Sequence, residues 1–175
     1  MKNKIIWVEE RPDTVSKEIL LCRKLGFEVI IVATVHRLAE ILKKEKEKVA
    51  LIIMDIMLFT VISLDSIGIL DSHTESGYQA GWVIIDRFLR PREMIPGNDD
   101  YRAIPILILT TQRLYPDDSN RLCILKRREG SWIKYIEKNA IGKIEGEVDG
   151  KTANWTEHFE AIINKLKYNK EREDK

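Results

Sequence analysis

Apolar residues fall along this chain in two alternating rhythms. Five short runs rich in Ile and Val have strand length and strand composition: IIWV (5–8), EVIIV (28–32), ALIIM (50–54), IPILIL (104–109) and WIKYI (132–136). Three of them are unbroken rather than alternating, which predicts strands covered on both faces. Between the runs the apolar positions take helical spacing. DTVSKEILLCRKLGF follows Pro12, offers Asp13 or Thr14 as an N-cap and ends at Gly26. VHRLAEILKKEKEK sets Leu38, Ile41 and Leu42 on one face and lysines and glutamates on the other. AGWVIIDRFLRP is stopped by Pro91. PDDSNRLCILKRRE reads as one helix capped near Asp118, and TEHFEAIINKLKYNK as another opening at Thr156 with Phe159, Ile162, Ile163 and Leu166 as its stripe.

Strands that alternate with helices predict an α/β fold with a parallel sheet. Two segments exceed the minimum such a fold needs: the long connection 59–80, and the Gly-rich stretch 139–154 with VDGK as a tight turn. One domain over 1–168 with those two insertions, followed by a charged tail over 169–175, is the expected organisation.

Composition removes several function classes. The chain has 175 residues, 44% hydrophobic and 33% charged, an ordinary globular balance. A formal net charge of +1 gives no general attraction to nucleic acid or to a membrane surface. No apolar run reaches the roughly 20 residues that span a bilayer. MKNKIIWVEERP meets a carboxylate pair too early for a secretory signal. Cys22 and Cys123 form no C-x-x-C pair, and His36, His73 and His158 lack ligand spacing, so the expectation is reduced thiols in the cytoplasm and no zinc. Neither a P-loop nor a G-x-G-x-x-G fingerprint occurs.

In an open parallel sheet, ligands bind beyond the carboxyl ends of the strands. The predicted strands end there in Glu9-Glu10, Asp55, Thr110-Thr111 and Lys138. Three carboxylates close together need a cation or a proton to coexist, and oxygen ligands select a hard ion such as Mg²⁺. A metal beside a carboxylate, a hydroxyl and an ammonium suits a phosphoryl group, with the carboxylate as its acceptor. Plainer roles exist for each residue. Asp55 could cap the next segment, Glu9-Glu10 could be a solvated pair favoured by a helix dipole, Thr110 and Lys138 could be ordinary strand-end and surface residues, and Tyr135 could be a core aromatic.

IIWVEERP, LGFEVIIVAT, ALIIMDIML, AGWVIIDRFLR, IPILILTT and YIEK, in that order, resemble the receiver domain of two-component response regulators. The resemblance implies a three-layer α/β/α, doubly wound, flavodoxin-like five-stranded sheet of order 2-1-3-4-5. It implies that Asp55 accepts a phosphoryl group from a histidine kinase or phosphotransfer protein. Glu9, Glu10, Asp55 and the Met57 backbone carbonyl would hold Mg²⁺. Lys138 and Thr110 would contact the phosphoryl group, and Tyr135 would take the aromatic switch position. A downstream partner protein would read the switch, with homodimerisation compatible and no direct contact to nucleic acid or membrane. Since the chain ends soon after the fifth helix, a stand-alone receiver without an output domain is expected.

Departures from the family pattern cluster around the acceptor. The acidic pair is Glu-Glu, Phe59 and Asn139 stand where the family has prolines, and Thr111 is larger than the residue usual there. They favour a second reading, a pseudo-receiver that binds partners without phosphorylation. A third, a Mg²⁺-dependent phosphohydrolase, calls for a second aspartate two positions after the first, where this chain has Met57.

Overall fold

Strand β3 (Val49–Met54) is buried at all six positions, and this is what organises the molecule. A strand apolar on both sides must be covered on both sides. The computed structural model describes residues 2–59, 64–67, 74–93, 100–138 and 155–173. Around β3 lie β1 (Lys4–Val8), β2 (Glu28–Val32), β4 (Ile106–Thr110) and β5 (Ile133–Glu137), all parallel, in the order β2-β1-β3-β4-β5. The expected doubly wound topology is the observed one.

Period-two alternation divides each central strand between two cores. Ile5, Trp7, Leu51, Ile53, Leu107 and Leu109 face one layer, formed by α1 (Ser16–Lys24) and α5 (Trp155–Glu173). Ile6, Val8, Ile52, Met54, Ile106 and Ile108 face the other, formed by α2 (Val35–Glu45), α3 (Ala80–Ile84) and α4 (Pro116–Arg127).

Helix termini are where local sequence signals and structure part. A 3₁₀ turn, Pro12–Val15, precedes α1; neither Asp13 nor Thr14 caps it, and the Thr14 hydroxyl donates instead to the Arg11 carbonyl at 2.7 Å. Pro12 at the first position presets the turn and has no N–H to satisfy. Helix α4 starts at Pro116, two residues ahead of Asp118. Asp118 stands at the third helical position, near the Tyr115 backbone N–H, where the acidic half of a capping box sits. Thr34, by contrast, caps α2 by accepting from the Arg37 N–H at 3.3 Å. Helix α5 already includes Trp155, so Thr156 lies in its first turn, and it runs on to Glu173. Ile104-Pro105 lies outside β4, because Pro105 has no N–H for the ladder; its carbonyl accepts from Ile52 at 3.0 Å.

Helix α3 continues as a single π turn, Ile85–Leu89. Arg90 follows it, fully buried, donating to the carbonyls of Leu89 and Tyr101 at 2.9 Å each and to that of Ile104. Burial pulls its pKa down to about 10, so the guanidinium keeps its charge at neutral pH; it satisfies the Leu89 carbonyl that the helix end leaves free and two carbonyls of the segment leading into β4. The stretch 139–154, with the VDGK turn and Asn139, lies outside the described residues. Of the 59–80 connection, Phe59, 64–67 and 74–80 are described; Leu64 and the 3₁₀ turn Asp65–Ile67 pack near α2.

Candidate functional site at the carboxyl edge of the sheet

Adjacent parallel strands bring residues far apart in sequence to one edge. Glu9 leaves β1 with its N–H on the Val32 carbonyl of β2 at 3.1 Å, and Asp55 leaves β3 with its N–H on the Val8 carbonyl at 3.0 Å. Lys138 leaves β5 with its N–H on the Thr110 carbonyl at 2.7 Å. Backbone bonds thereby lock the ends of β2, β1 and β3 side by side, and those of β4 and β5 likewise.

The side chains meet above them. Lys138 Nζ lies 2.9 Å from Glu9 Oε2 and 3.4 Å from Asp55 Oδ2, an ammonium shared by two carboxylates. The other oxygens are held from below: Glu9 Oε1 accepts from the Arg11 N–H at 3.0 Å, and Asp55 Oδ1 from the Met57 N–H at 3.2 Å. Glu9 and Asp55 are 4% and 7% exposed. Two formal negative charges against one positive leave this buried group one cation short, and uncompensated buried charge is costly.

Thr110 is buried at the end of β4, and its Oγ1 accepts from the Gln112 N–H at 3.2 Å. The Tyr135 hydroxyl donates to the Gln112 carbonyl, so Gln112 joins threonine to tyrosine. Burial, with Glu137, Asp118 and Asp55 nearby, pushes the Tyr135 phenol well above its ordinary pKa, which keeps it a donor. Its ring lies parallel to that of buried Trp82 at a 5° interplanar angle, centroids 6.4 Å apart. Thr111 points to solvent, and Glu10 is half-buried beside Glu9.

The carboxylate oxygens are the donor type that a hard divalent ion takes, and Mg²⁺ uses one or two carboxylates with waters completing its shell. Glu9 and Asp55 meet that requirement, and the missing positive charge is of the right sign. Among the described residues no three His, Cys, Asp or Glu side chains are grouped so as to hold a metal ion. The close group is Glu9, Asp55 and Lys138, with the ammonium between the carboxylates.

Two glycines pack against the chain at and just after Asp55, and the sequence pattern left them unremarked. A Cβ on Gly81 would lie 2.2 Å from the Asp55 carbonyl oxygen and 2.7 Å from Ile56 Cα, while the Gly81 N–H donates to the Ile56 carbonyl at 2.9 Å. A Cβ on Gly77 would lie 2.6 Å from the Leu58 carbonyl oxygen. The available signal was Gly81 itself, a residue one position inside a predicted helix, where glycine is penalised unless the backbone must come close to something.

Sheet order and layers define a doubly wound α/β protein whose topological switch lies between β1 and β3, next to the strand-end carboxylates. Within that class the chain has the fold of a response-regulator receiver domain. It is similar to the receiver domain of a sensor histidine kinase from Pseudomonas aeruginosa PAO1, a structure with a magnesium ion coordinated in its active-site cleft; identity is 20%, coverage 95% of this chain and 98% of that one, and the TM-score 0.51. It is similar also to the signal receiver domain of a protein described as a Luxo repressor from Vibrio parahaemolyticus, at 13% identity, 99% and 96% coverage and a TM-score of 0.51. No protein-family model matches the sequence, and no curated protein matches it significantly. No described helix is long and apolar enough to cross a membrane.

Proposed function

We propose that this chain is a phosphoryl-accepting receiver in which Asp55 is the acceptor. The observation that carries the reading is the three-strand juxtaposition of Glu9, Asp55 and Lys138 at the carboxyl edge of a receiver-type sheet. In the transfer, an Asp55 carboxylate oxygen forms a bond to phosphorus. The bond from phosphorus to the donor's leaving group breaks, and the leaving group departs with the bonding pair. With a histidine kinase or phosphotransfer protein that group is an imidazole; with acetyl phosphate it is acetate. Lys138 already touches Asp55 Oδ2, so its ammonium is placed to meet the developing phosphoryl charge without reorganising. The backbone N–H of Met57 fixes the orientation of the carboxylate through Oδ1. Thr110 offers a hydroxyl from the neighbouring strand end.

Glu9, Glu10, Asp55 and the Met57 carbonyl are the residues that would hold Mg²⁺, which would offset like charge between the acceptor and the incoming phosphoryl oxygens. Signalling would follow from a change in the surface around α4 and β5, where Tyr135 is half-buried, read by a downstream protein.

The test is incubation with Mg²⁺ and acetyl phosphate, followed by intact mass. One added phosphoryl group is expected for the wild type and none for Asp55→Asn. The pseudo-receiver reading draws on one specific observation: the Lys138 ammonium already bridges Glu9 and Asp55, so both carboxylates share a cation without a metal. An unchanged wild-type mass at saturating donor would select it.

A further inference from the structure

Residues 59–80 join the acceptor strand to α3, and nothing in the phosphoryl chemistry uses them. Their return leg has an uncommon backbone. Glu75, Ser76 and Gly77 have φ of 49°, 56° and 92°, three successive left-handed residues, two of which carry side chains that disfavour it. The Gly77 and Gln79 N–H groups both donate to the Thr74 carbonyl at 3.0 Å and close the turn.

Contacts hold this turn from two sides. On the first, the Leu58 N–H donates to the Gly77 carbonyl at 3.0 Å, and the glycine's missing Cβ lets its backbone press on Leu58 and Phe59, three and four residues past Asp55. On the second, Gln79 Oε1 accepts from Arg121 Nη1 of α4 at 2.8 Å. The Arg121 guanidinium also lies 5.9 Å from the centre of the Trp82 ring. Trp82 stacks on Tyr135, which bonds Gln112, which bonds Thr110. The contacts run from the chain beside Asp55 through the turn to α4, and back to the site through Tyr135. A strained backbone persists only while its surroundings hold it.

We propose that Arg121 is a positioning residue that latches α4, through Gln79, to the turn 74–79 that contains the left-handed residues, so that α4, the Tyr135–Trp82 stack and the backbone beside Asp55 shift as one unit. Its regulatory use, transmitting a phosphoryl group on Asp55 to the α4 surface, rests on the function proposed above; the latch itself does not.

Amide hydrogen exchange on the unmodified protein tests the latch. Arg121→Met keeps an unbranched stem near Trp82 and removes the guanidinium, and Gln79→Leu removes the same bond from its other end. Exchange over 74–79 and 116–127 should rise at least tenfold in both variants and stay unchanged in Arg37→Met, an exposed control on α2. Wild-type exchange over 74–79 in either variant, with folding verified by circular dichroism, overturns the proposal; if Arg121→Met does not fold, Gln79→Leu decides. A second arm adds Mg²⁺ and acetyl phosphate and follows mass and exchange together. The wild type should gain one phosphoryl group and change its exchange over 116–127, whereas Arg121→Met should gain the group without that change. An equal α4 response in both overturns the latch and spares the acceptor role. No mass gain in the wild type defeats the acceptor role, and the unmodified-state exchange still decides the latch.

Discussion

Gly81→Ala tests whether close backbone approach is what positions Asp55. The added methyl carbon would sit 2.2 Å from the Asp55 carbonyl oxygen, 2.7 Å from Ile56 Cα and 3.0 Å from the Asp55 carbonyl carbon. Ordinary contact begins at 3.4 Å, so the shortest of these falls 1.2 Å short (3.4 − 2.2). All three atoms are backbone, and the Gly81 N–H bond to the Ile56 carbonyl pins the same junction, so no flexible side chain can swing away. Relief needs α3 or the acceptor loop to move by about 1 Å, and overpacking of that kind costs about 1–3 kcal/mol or more. At about 2–4 °C per kcal/mol for a chain of this size, Tm should fall by roughly 2–12 °C. Since the displaced carbonyl belongs to Asp55 itself, phosphoryl uptake should fall by about tenfold or more even well below the new Tm, an effect expected of angstrom-scale misplacement. Gly26→Ala is the matched control. Its φ of +86° makes alanine strained, yet nothing lies within 4 Å of the new carbon, so a loss of about 1 kcal/mol with wild-type uptake is expected. The assays are thermal unfolding by circular dichroism and intact mass after timed exposure to acetyl phosphate. A Gly81→Ala protein that matched the wild type in both would refute the reasoning.

Lys138→Met should destabilise the chain by about 3–5 kcal/mol, because Glu9 and Asp55 would face each other buried with no cation; Mg²⁺ should restore part of the loss, read as a metal-dependent Tm absent from Lys138→Met/Asp55→Asn. Met57 follows the acceptor by two residues and offers no polar group to orient water, so the aspartyl phosphate should decay slowly and Met57→Asn should shorten its half-life; an unchanged half-life counts against that account. Burial pushes the Cys22 thiol from its ordinary 9.0 up to about 12. The folded state therefore holds that proton more tightly, so this contribution to stability is complete below pH 9 and is lost as pH rises toward 12. Cys22→Ala should flatten the decline in Tm over that range, and thiol labelling of the native protein at pH 8 should modify exposed Cys123 alone.

How much of this was legible in the chain differs from place to place. The unbroken apolar runs announced a sheet covered on both faces, and each of the five runs overlaps a strand, because burial of apolar surface dominates every other term there. The site was legible through polar residues at the ends of those runs: with the strands parallel, backbone ladders alone must bring Glu9, Asp55, Thr110 and Lys138 to one edge. Helix termini were less so, since several weak signals compete within a turn. Pro12 and Pro116 outranked the capping residues beside them.

Sequence by itself thus determined the layers, the strand order expected of the resembling family and the residues that gather at the ligand edge. Tertiary structure decided what those residues do to one another. The ammonium shared between Glu9 and Asp55, the two glycines against the chain at and after Asp55 and the Arg121 contact with Gln79 all join residues distant in the chain. Such contacts depend on distances of a fraction of an ångström, set by how whole elements pack. Periodicity records which side of an element is buried; it carries no measure of how closely two backbones approach.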